Sequence, residues 1–393
     1  MKAVILCAGK STRTYPITVN KTKPLLRIGD KSLIEHTLET LKGVVSEAVL
    51  VVADNEIKKK LGERYGKIRI SYVRQNHPLG TGHALLMAEK HVRQDDKFLV
   101  LMGDNLYPRD KIKECVSFGL SMLGQKVENP GNHGVLEIKG GYLVGIKEKP
   151  DKPESDLVST GLFVFNDRIF EELKTLKLSR RKEYEIPDAV NRLAAKVRIR
   201  CFYTREYIPI VFPWDLLKAN QKILSSMKGR GDGRLEKHVE IKGEVRIGKG
   251  TLIKAGTYIE GPVFIGENCV IGPGAYIRPN TTIGNNVRIR GEVVNSIIMD
   301  NTTAKHACYI GHSVVGENVN IAAGTVTADY RHDGKNHFTV VKGRKVDTGM
   351  RKLGAFIGDG VRTGINTSIY PGRKIWPGLT TVLGEVVKED KVK

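Results

Sequence analysis

Cysteine is scarce and scattered in this chain. Cys7, Cys115, Cys201, Cys269 and Cys308 are all there are in 393 residues, and no two form a Cys-x-x-Cys pair. Neither a zinc knuckle nor a disulfide framework is legible, and a reducing compartment is expected. Long apolar runs are missing too, with no stretch near the roughly 18 residues that a membrane-spanning helix needs. The opening MKAVILCAGK has a six-residue apolar run stopped by Gly9, too short for the apolar region of a secretory signal. A cytoplasmic protein with no membrane partner is the expectation. Aromatics make up only 6%, and no basic patch interleaved with aromatics is visible, which argues against a nucleic-acid partner. Acidic residues are outnumbered, 43 against 64 basic, for a net charge of +21. That excess suits nucleic acid, an anionic membrane or phosphorylated small molecules, and charge alone does not separate these. At 40% hydrophobic and 27% charged, the composition excludes a disordered tail, and the length allows two or three domains of about 100–200 residues each. What is plentiful is glycine, 42 residues, against a usual share of about 7%.

Through about Met227, apolar runs (AVILCA, EAVLVVA, IRISYV, FLVLMGD) alternate with amphipathic stretches (SLIEHTLETL, GHALLMAEKHV). The alternation predicts a mostly parallel α/β sheet, Rossmann-like, over 1–227. HGVLEIKGGYLVGIKEKP, STGLFVFN and KVRIRCFYT read as shorter strands grafted on its edge, and DLLKANQKILSSM as a closing helix. KGRGDGR opens a linker over 228–236. Beyond it, isoleucine recurs at 241, 247, 253, 259, 265, 271, 277, 283 and 289, with glycine following at 248, 266, 272 and 284. A period of six fits neither a helix nor a simple strand; it fits the hexapeptide β-helix over 237–393. The frame breaks after Ile289, resumes at Val315 and Ile321, breaks again over 329–354, and returns at Ile357, Thr363, Ile369, Ile375 and Thr381. Loops projecting from a repeat are often its binding face, and His, Asn and Lys crowd into these two.

The chemistry-bearing motifs of the first domain are Leu6-Cys7-Ala8-Gly9-Lys10-Ser11-Thr12-Arg13, Thr22-Lys23-Pro24-Leu25, Gln75 ahead of Leu79-Gly80-Thr81-Gly82, Gly103-Asp104 after FLVLM, Glu148-Lys149-Pro150, and Trp214-Asp215. In order and spacing this set resembles the sugar-1-phosphate nucleotidyltransferases. In that reaction a sugar phosphate oxygen attacks the α-phosphorus of a nucleoside triphosphate and pyrophosphate leaves, so anions must be gathered and charge neutralised. Backbone N–H groups of the glycine turn suit the triphosphate, Arg13 the departing β,γ-phosphates, and Lys23 the α-phosphate and the sugar phosphate. Asp104, at a strand's carboxyl end, suits both Mg²⁺ and the nucleotide; Asp215 is the second expected Mg²⁺ ligand. The resemblance further implies nucleotide contacts from Ala8, Gly9, Gln75, Gly80 and Thr81, and sugar contacts from Gly134, Glu148 and Gly161. The nucleotide is expected to be UTP or dTTP. Two positions depart from the family pattern: Ser11 stands for a second loop glycine and Ser159 for an asparagine.

In the second domain, Lys305-His306-Ala307-Cys308-Tyr309-Ile310-Gly311-His312, then Gly316–Thr325 and Thr327-Ala328-Asp329-Tyr330, resemble the acetyltransferase half of the bifunctional N-acetylglucosamine-1-phosphate uridyltransferases. That family carries GHLxYxGD and GxNVNIGAGT, and the segment 351–366 is nearer its archaeal branch. The resemblance implies a left-handed β-helix, acetyl-CoA as co-substrate and a homotrimer or a multiple of one. Amide formation needs a base, and His306 suits it. Tyr309 and Asn320 suit the sugar phosphate or the oxyanion, and Lys335, Lys342 or Arg344 suit phosphates. Val294 falls where a phosphate-binding lysine is expected, leaving Arg278, Arg288, Arg290 or the 335–345 cluster for that task. Asp329 replaces an asparagine and suits the ammonium of an amino sugar.

Three readings follow. One is a bifunctional enzyme making UDP-N-acetylglucosamine or a related UDP- or dTDP-sugar, acetylating glucosamine 1-phosphate or galactosamine 1-phosphate along the way. Another keeps only uridylyl or thymidylyl transfer to glucose 1-phosphate, with the β-helix as an oligomerisation or regulatory module. A third is a non-catalytic regulatory subunit, against which Arg13, Lys23, Asp104 and Asp215 all argue.

Overall fold

The computed structural model describes residues 1–179, 181–229 and 231–392; Arg230 of the expected linker and the last residue of the expected second domain lie outside them. By its internal contacts the chain forms two compact units. The first comprises Met1–Lys10, Thr22–Leu25 and Leu33–Pro209; the second comprises Ser11–Lys21, Leu26–Ser32 and the chain from Ile210 onward.

The first unit is built on a ten-stranded sheet. Ile68–Arg74, Glu47–Val52, Lys2–Leu6 and Phe98–Met102 lie side by side and parallel. These are the expected apolar runs, and in the last three both faces are buried. Val4, Val49 and Val100 pack on one side, and Ala3, Ile5, Leu50 and Leu99 on the other, as a sheet covered by helices on both faces requires. Beyond Phe98–Met102 the sheet turns mixed. Leu157–Phe165 pairs antiparallel with it and with Ser121–Lys126, while Arg200–Thr204 pairs parallel with Ser121–Lys126. The hairpin of Gly134–Lys139 and Tyr142–Glu148 closes the edge. The parallel character expected from the sequence thus covers only one half of the sheet.

The sheet order puts Lys2–Leu6 between Glu47–Val52 and Phe98–Met102, so the connections leave it toward opposite sides. That is the switch point at which ligands of open α/β sheets bind. The carboxyl ends of the two neighbours are locked in step: the Gly103 N–H donates to Leu6 O at 3.0 Å and the Cys7 N–H to Val51 O at 2.8 Å. Gly103 is required here, because a Cβ at this position would lie 2.3 Å from the Cys7 Sγ.

In the second unit the six-residue period acquires its geometry. Strands fall in turn on three parallel sheets of five, eight and seven strands. Ile241 pairs with Ile259 and that with Ile277, Ile247 with Ile265 and that with Ile283, and Ile253 with Ile271 and that with Ile289. Three repeats of six therefore complete one turn, and each isoleucine stacks on its equivalent in the next turn to fill one interior column. The break after Ile289 is a shortened turn, in which Ile277 meets Val293, Ile283 meets Ile298 and Ile289 meets Ala304. The second break is an inserted antiparallel hairpin, Phe338–Val341 with Arg344–Asp347, after which Thr327 pairs with Ile369 and the coil continues. The glycines that follow the stacked aliphatics let turns approach closely: a Cβ on Gly248 would lie 2.5 Å from the Gly266 carbonyl carbon.

Helix Asp215–Ser225 belongs to this unit. Its fully buried Asn220 donates to Asn280 O at 2.8 Å and accepts from Thr282 Oγ1 at 2.6 Å, both on the coil. The segments 11–21 and 26–32 are held by the coil through charge. Lys21 Nζ lies 2.7 Å from Glu317 and 3.2 Å from Asp359, Arg27 lies 3.1 Å from Asp300, and Arg246 lies 3.1 Å from Asp30. Among the described residues no helix is long and apolar enough to cross a membrane.

Candidate active sites

In the first unit, the residues singled out from the sequence gather at the carboxyl ends of the parallel strands. Ala8 and Gly9 follow Lys2–Leu6; Gln75 follows Ile68–Arg74; Asp104 follows Phe98–Met102. Lys23 is buried and its Nζ forms an ion pair with Asp104 Oδ2, so cation and carboxylate stand at one point. Nothing crowds Gly9, where an added Cβ would meet no atom within 4 Å. Gln75, also buried, donates from Nε2 to Gly80 O at 3.3 Å and lies 2.9 Å from His83 Nδ1. Gly80 has φ +105°, and a Cβ there would strike Tyr184 O at 2.4 Å. The next helix, Thr81–Met87, begins under this contact, with the Thr81 hydroxyl accepting from the Ile186 N–H at 3.2 Å.

The expected sugar contacts lie on the antiparallel half. Gly134 faces Glu148 in register, and Gly161 sits in an irregularity of its strand at φ +76°, where a Cβ would lie 3.1 Å from Met102 Cγ. Several partners were not foreseen. Arg181 Nη2 donates to Glu148 Oε1 at 3.3 Å and also pairs with Glu185. Tyr107 and Tyr207 brace the loop after Asp104: Tyr107 donates to Thr160 O at 3.0 Å and the Asn105 amide donates to the Tyr207 hydroxyl at 2.9 Å. Burial, followed by the charge of Asp104, pushes the Cys7 thiol well above its usual range, which makes it a packing residue rather than a nucleophile.

The second unit carries the other two expected phosphate- and metal-site residues. Arg13 is exposed within the short turn Thr12–Thr14. Ser11 before it has φ +50°, the left-handed conformation that a glycine adopts without strain. That accounts for a glycine being the expected residue there. Asp215 opens its helix and accepts the N–H groups of Val211 at 2.8 Å and Phe212 at 2.7 Å through Oδ2.

Along the coil the acetyltransferase-like residues separate into two groups. His306, Asn320 and Lys335 are exposed. Asn320 accepts from Thr303 Oγ1 at 2.9 Å, and Lys335 donates its backbone N–H to Asp333 at 3.2 Å. Tyr309 and Asp329, by contrast, meet on adjoining turns: the Tyr309 hydroxyl donates to Asp329 Oδ2 at 2.9 Å, and His312 Nδ1 lies 2.6 Å from the same oxygen. The Asp329 backbone is fixed as well, its carbonyl accepting from the Leu353 N–H at 2.9 Å and lying 3.1 Å from His337 Nε2. Burial alone would raise the Asp329 carboxyl, but the His312 and Tyr309 hydrogen bonds and the charges of His312 and Lys352 outweigh it and hold it below the ordinary carboxylate range. Burial, with Asp329 adding to it, pushes the Tyr309 hydroxyl up. Val294 is buried, and its carbonyl accepts from the His312 N–H at 2.9 Å. Of the alternative phosphate ligands, Arg278 is committed to Glu292 at 2.9 Å, while Arg288, Arg290, Lys342 and Arg344 are exposed.

No group of three or more His, Cys, Asp or Glu side chains stands ready for a metal among the described residues. Asp104 and Asp215 each offer carboxylate oxygens, the donor type that Mg²⁺ takes alongside substrate phosphates and water.

Comparison with known proteins agrees with this division. The chain belongs to the nucleotidyl transferase family, whose model matches residues 2–208. A second model, described as the GMPPB C-terminal domain, matches 259–389. Over nearly its whole length the chain is 41% identical to a bifunctional protein GlmU of Methanococcus maripaludis, covering 98% of this chain and 93% of that one. It is 38% identical to a bifunctional sugar-1-phosphate nucleotidylyltransferase/acetyltransferase of Sulfurisphaera tokodaii, covering 99% and 98%. A solved Bacillus anthracis structure, named for a glucose-1-phosphate thymidylyltransferase and holding a sucrose, covers 58% of this chain and 98% of its own at TM-score 0.53 and 27% identity. Within the family, the full-length matches place the chain in the two-part bifunctional branch.

Proposed function

We propose that the chain is a bifunctional enzyme that couples a nucleoside triphosphate to a sugar 1-phosphate and acetylates an amino sugar 1-phosphate. The observation that carries this is the match over 98–99% of the chain to proteins named for both activities. In the first activity, a sugar phosphate oxygen bonds to the α-phosphorus of UTP or dTTP as the bond to the bridging oxygen breaks, releasing pyrophosphate. Lys23 holds the phosphates at the reacting centre, Arg13 the leaving group, and the open backbone at Gly9 the triphosphate. Gln75, Gly80, Thr81 and Ala8 receive the nucleotide; Gly134, Glu148 and Gly161 receive the sugar. Asp104 and Asp215 would hold Mg²⁺, which when bound supplies positive charge to the phosphates.

In the second activity, the amine nitrogen bonds to the acetyl carbonyl carbon, the thioester C–S bond breaks, and CoA leaves as thiol. His306 takes the amine proton, Asn320 and Tyr309 orient the acceptor, Asp329 receives its amino group, and Lys335 its phosphate. The exposure of His306 suits a group that meets a substrate from solvent. We read the three-sheet coil as a left-handed β-helix that assembles as a homotrimer or a multiple of it. In chain order we take 1–227 as the segment carrying nucleotidyl transfer, including helix Asp215–Ser225 that packs on the coil, 228–236 as the linker, 237–393 as the acetyltransferase segment, and the cytoplasm as the compartment.

The test is release of two products by the purified protein: CoA thiol from acetyl-CoA with glucosamine or galactosamine 1-phosphate, and pyrophosphate from UTP or dTTP with the N-acetylated sugar phosphate and Mg²⁺. Both are expected. Pyrophosphate without thiol for either amino sugar leaves a nucleotidyltransferase on a structural coil.

A further inference from the structure

The half-buried polar centre of the coil contains one residue with no task in either activity. His312 is side by side with Asp329, 2.6 Å from Nδ1 to Oδ2, and each side chain is 13% exposed. Tyr309 donates to that same oxygen, so both hydrogen bonds converge on Oδ2 and neither uses Oδ1. The aromatic hydroxyl comes from a strand in the coil's eight-stranded sheet, and Asp329 from just beyond the adjoining strand. His312 itself sits at φ +49°, a conformation that histidine, asparagine and aspartate tolerate better than most residues.

Both members of the pair depart from the motifs that this part of the sequence resembles. In GHLxYxGD the residue after the glycine is an aspartate, and here it is His312. Before Tyr330 the pattern has an asparagine, and here it is Asp329. The carboxylate has changed sides, and the two departures touch. The fold sets the two positions on adjoining turns, so a change at one is felt at the other.

Resting on the acetyltransferase reading, we propose that His312 is a positioning residue for the amino-sugar acceptor. With Tyr309 it clamps Asp329 Oδ2, so that Oδ1 is presented in one orientation to the acceptor's ammonium. A carboxylate anchored on one oxygen loses its rotational freedom before the ligand arrives, and its affinity for the ligand rises by the disorder no longer lost on binding. The pair therefore selects a free, positively charged amine at the acceptor position and takes no part in holding acetyl-CoA.

The test is a double-mutant cycle on the full chain, with steady-state thiol release read against glucosamine 1-phosphate and acetyl-CoA separately. His312→Asp sets two carboxylates against each other, and Asp329→Asn removes the charge. Each single change is expected to raise the amino sugar KM by about a hundredfold, in line with losing a hydrogen bond to a charged group, and to leave the acetyl-CoA KM within about threefold. The double variant His312→Asp with Asp329→Asn restores one carboxylate and one partner. It is expected to regain most of the amino-sugar affinity. His312→Asn, which keeps an N–H donor and suits the left-handed backbone, is expected to stay near the wild type. Pyrophosphate release and thermal unfolding of every variant report whether the chain is folded. If folded single variants lower thermal stability but leave the amino sugar KM unchanged, or if the double variant is no better than the worse single one, the pair is structural and the proposal falls. A wild type that releases no thiol overturns the acetyltransferase reading and the pair together.

Discussion

The two candidate sites handle similar ligands and are built in opposite ways. In the first unit the cation and the amide of the motifs, Lys23 and Gln75, are buried and committed to neighbours: Lys23 to Asp104, and Gln75 to Gly80 and His83. They stand at strand ends whose positions the sheet fixes. In the coil, the residues that the motif singles out most plainly, His306, Asn320 and Lys335, are exposed, and the half-buried charged centre is Asp329 with Tyr309 and His312. A site at the ends of buried strands inherits its geometry from the core. A site on the edge of a repeat has to make its own geometry from side-chain contacts, and a local exchange of residues there can reorganise it.

The comparison is sharpened first by removing the cation that the sheet buries. Lys23→Ala is expected to lower pyrophosphate release by at least about a hundredfold, the scale of losing one charge-stabilising group in a reacting centre, while thiol release holds. A drop in both would show that the two activities share more than a chain. Next comes backbone. Gly80→Ala is expected to cost about 1–3 kcal/mol by overpacking and strain, because its Cβ would strike Tyr184 O and φ is +105°; calorimetry checks the stability, and the nucleoside triphosphate KM is expected to rise with it.

Acid should act on the coil. Asp329 titrates below its usual value when folded, so its contribution is complete above the unfolded-state pKa and is lost as pH falls through the lower folded value. Asp329→Asn should therefore flatten the loss of stability as pH falls below about 4, the ordinary aspartate value, relative to the wild type, as followed by thermal unfolding across that range. An unchanged slope would mean that the His312 contact does not stabilise the ionised carboxylate. The smallest effect belongs to Ser11. Replacing a left-handed serine by glycine removes a conformational cost of about 1 kcal/mol and returns part of it as unfolded-state entropy. Ser11→Gly is expected to raise the melting temperature by no more than a few degrees, and a decrease would show that the serine side chain holds the turn.

Much of this architecture is legible in the sequence. The isoleucines at intervals of six define three interior columns because only three repeats per turn bring Ile241, Ile259 and Ile277 into register. The strand-end placement of Ala8, Gly9 and Asp104 follows from apolar runs that stop at small or acidic residues. What was not legible depends on distance along the chain. Arg181 and Tyr184 reach Glu148 and Gly80 from an irregular segment with no periodicity to place it. Helix Asp215–Ser225 read as the end of the first domain because its amphipathic pattern shows a buried face but not which surface buries it; Asn220, bonded to Asn280 and Thr282, shows that it is the coil. His312 was in view within the motif, yet its task depends on a partner in the next turn of the coil, and a one-dimensional motif does not carry that contact.

One chain carrying two chemically separate sites is tested by a double dissociation on Asp104→Ala and His306→Ala. Pyrophosphate and CoA thiol release are followed in parallel on each purified variant. Asp104→Ala is expected to abolish pyrophosphate release and keep thiol release, and His306→Ala to do the reverse. Loss of both activities in either folded variant, or full thiol release from His306→Ala, would contradict it.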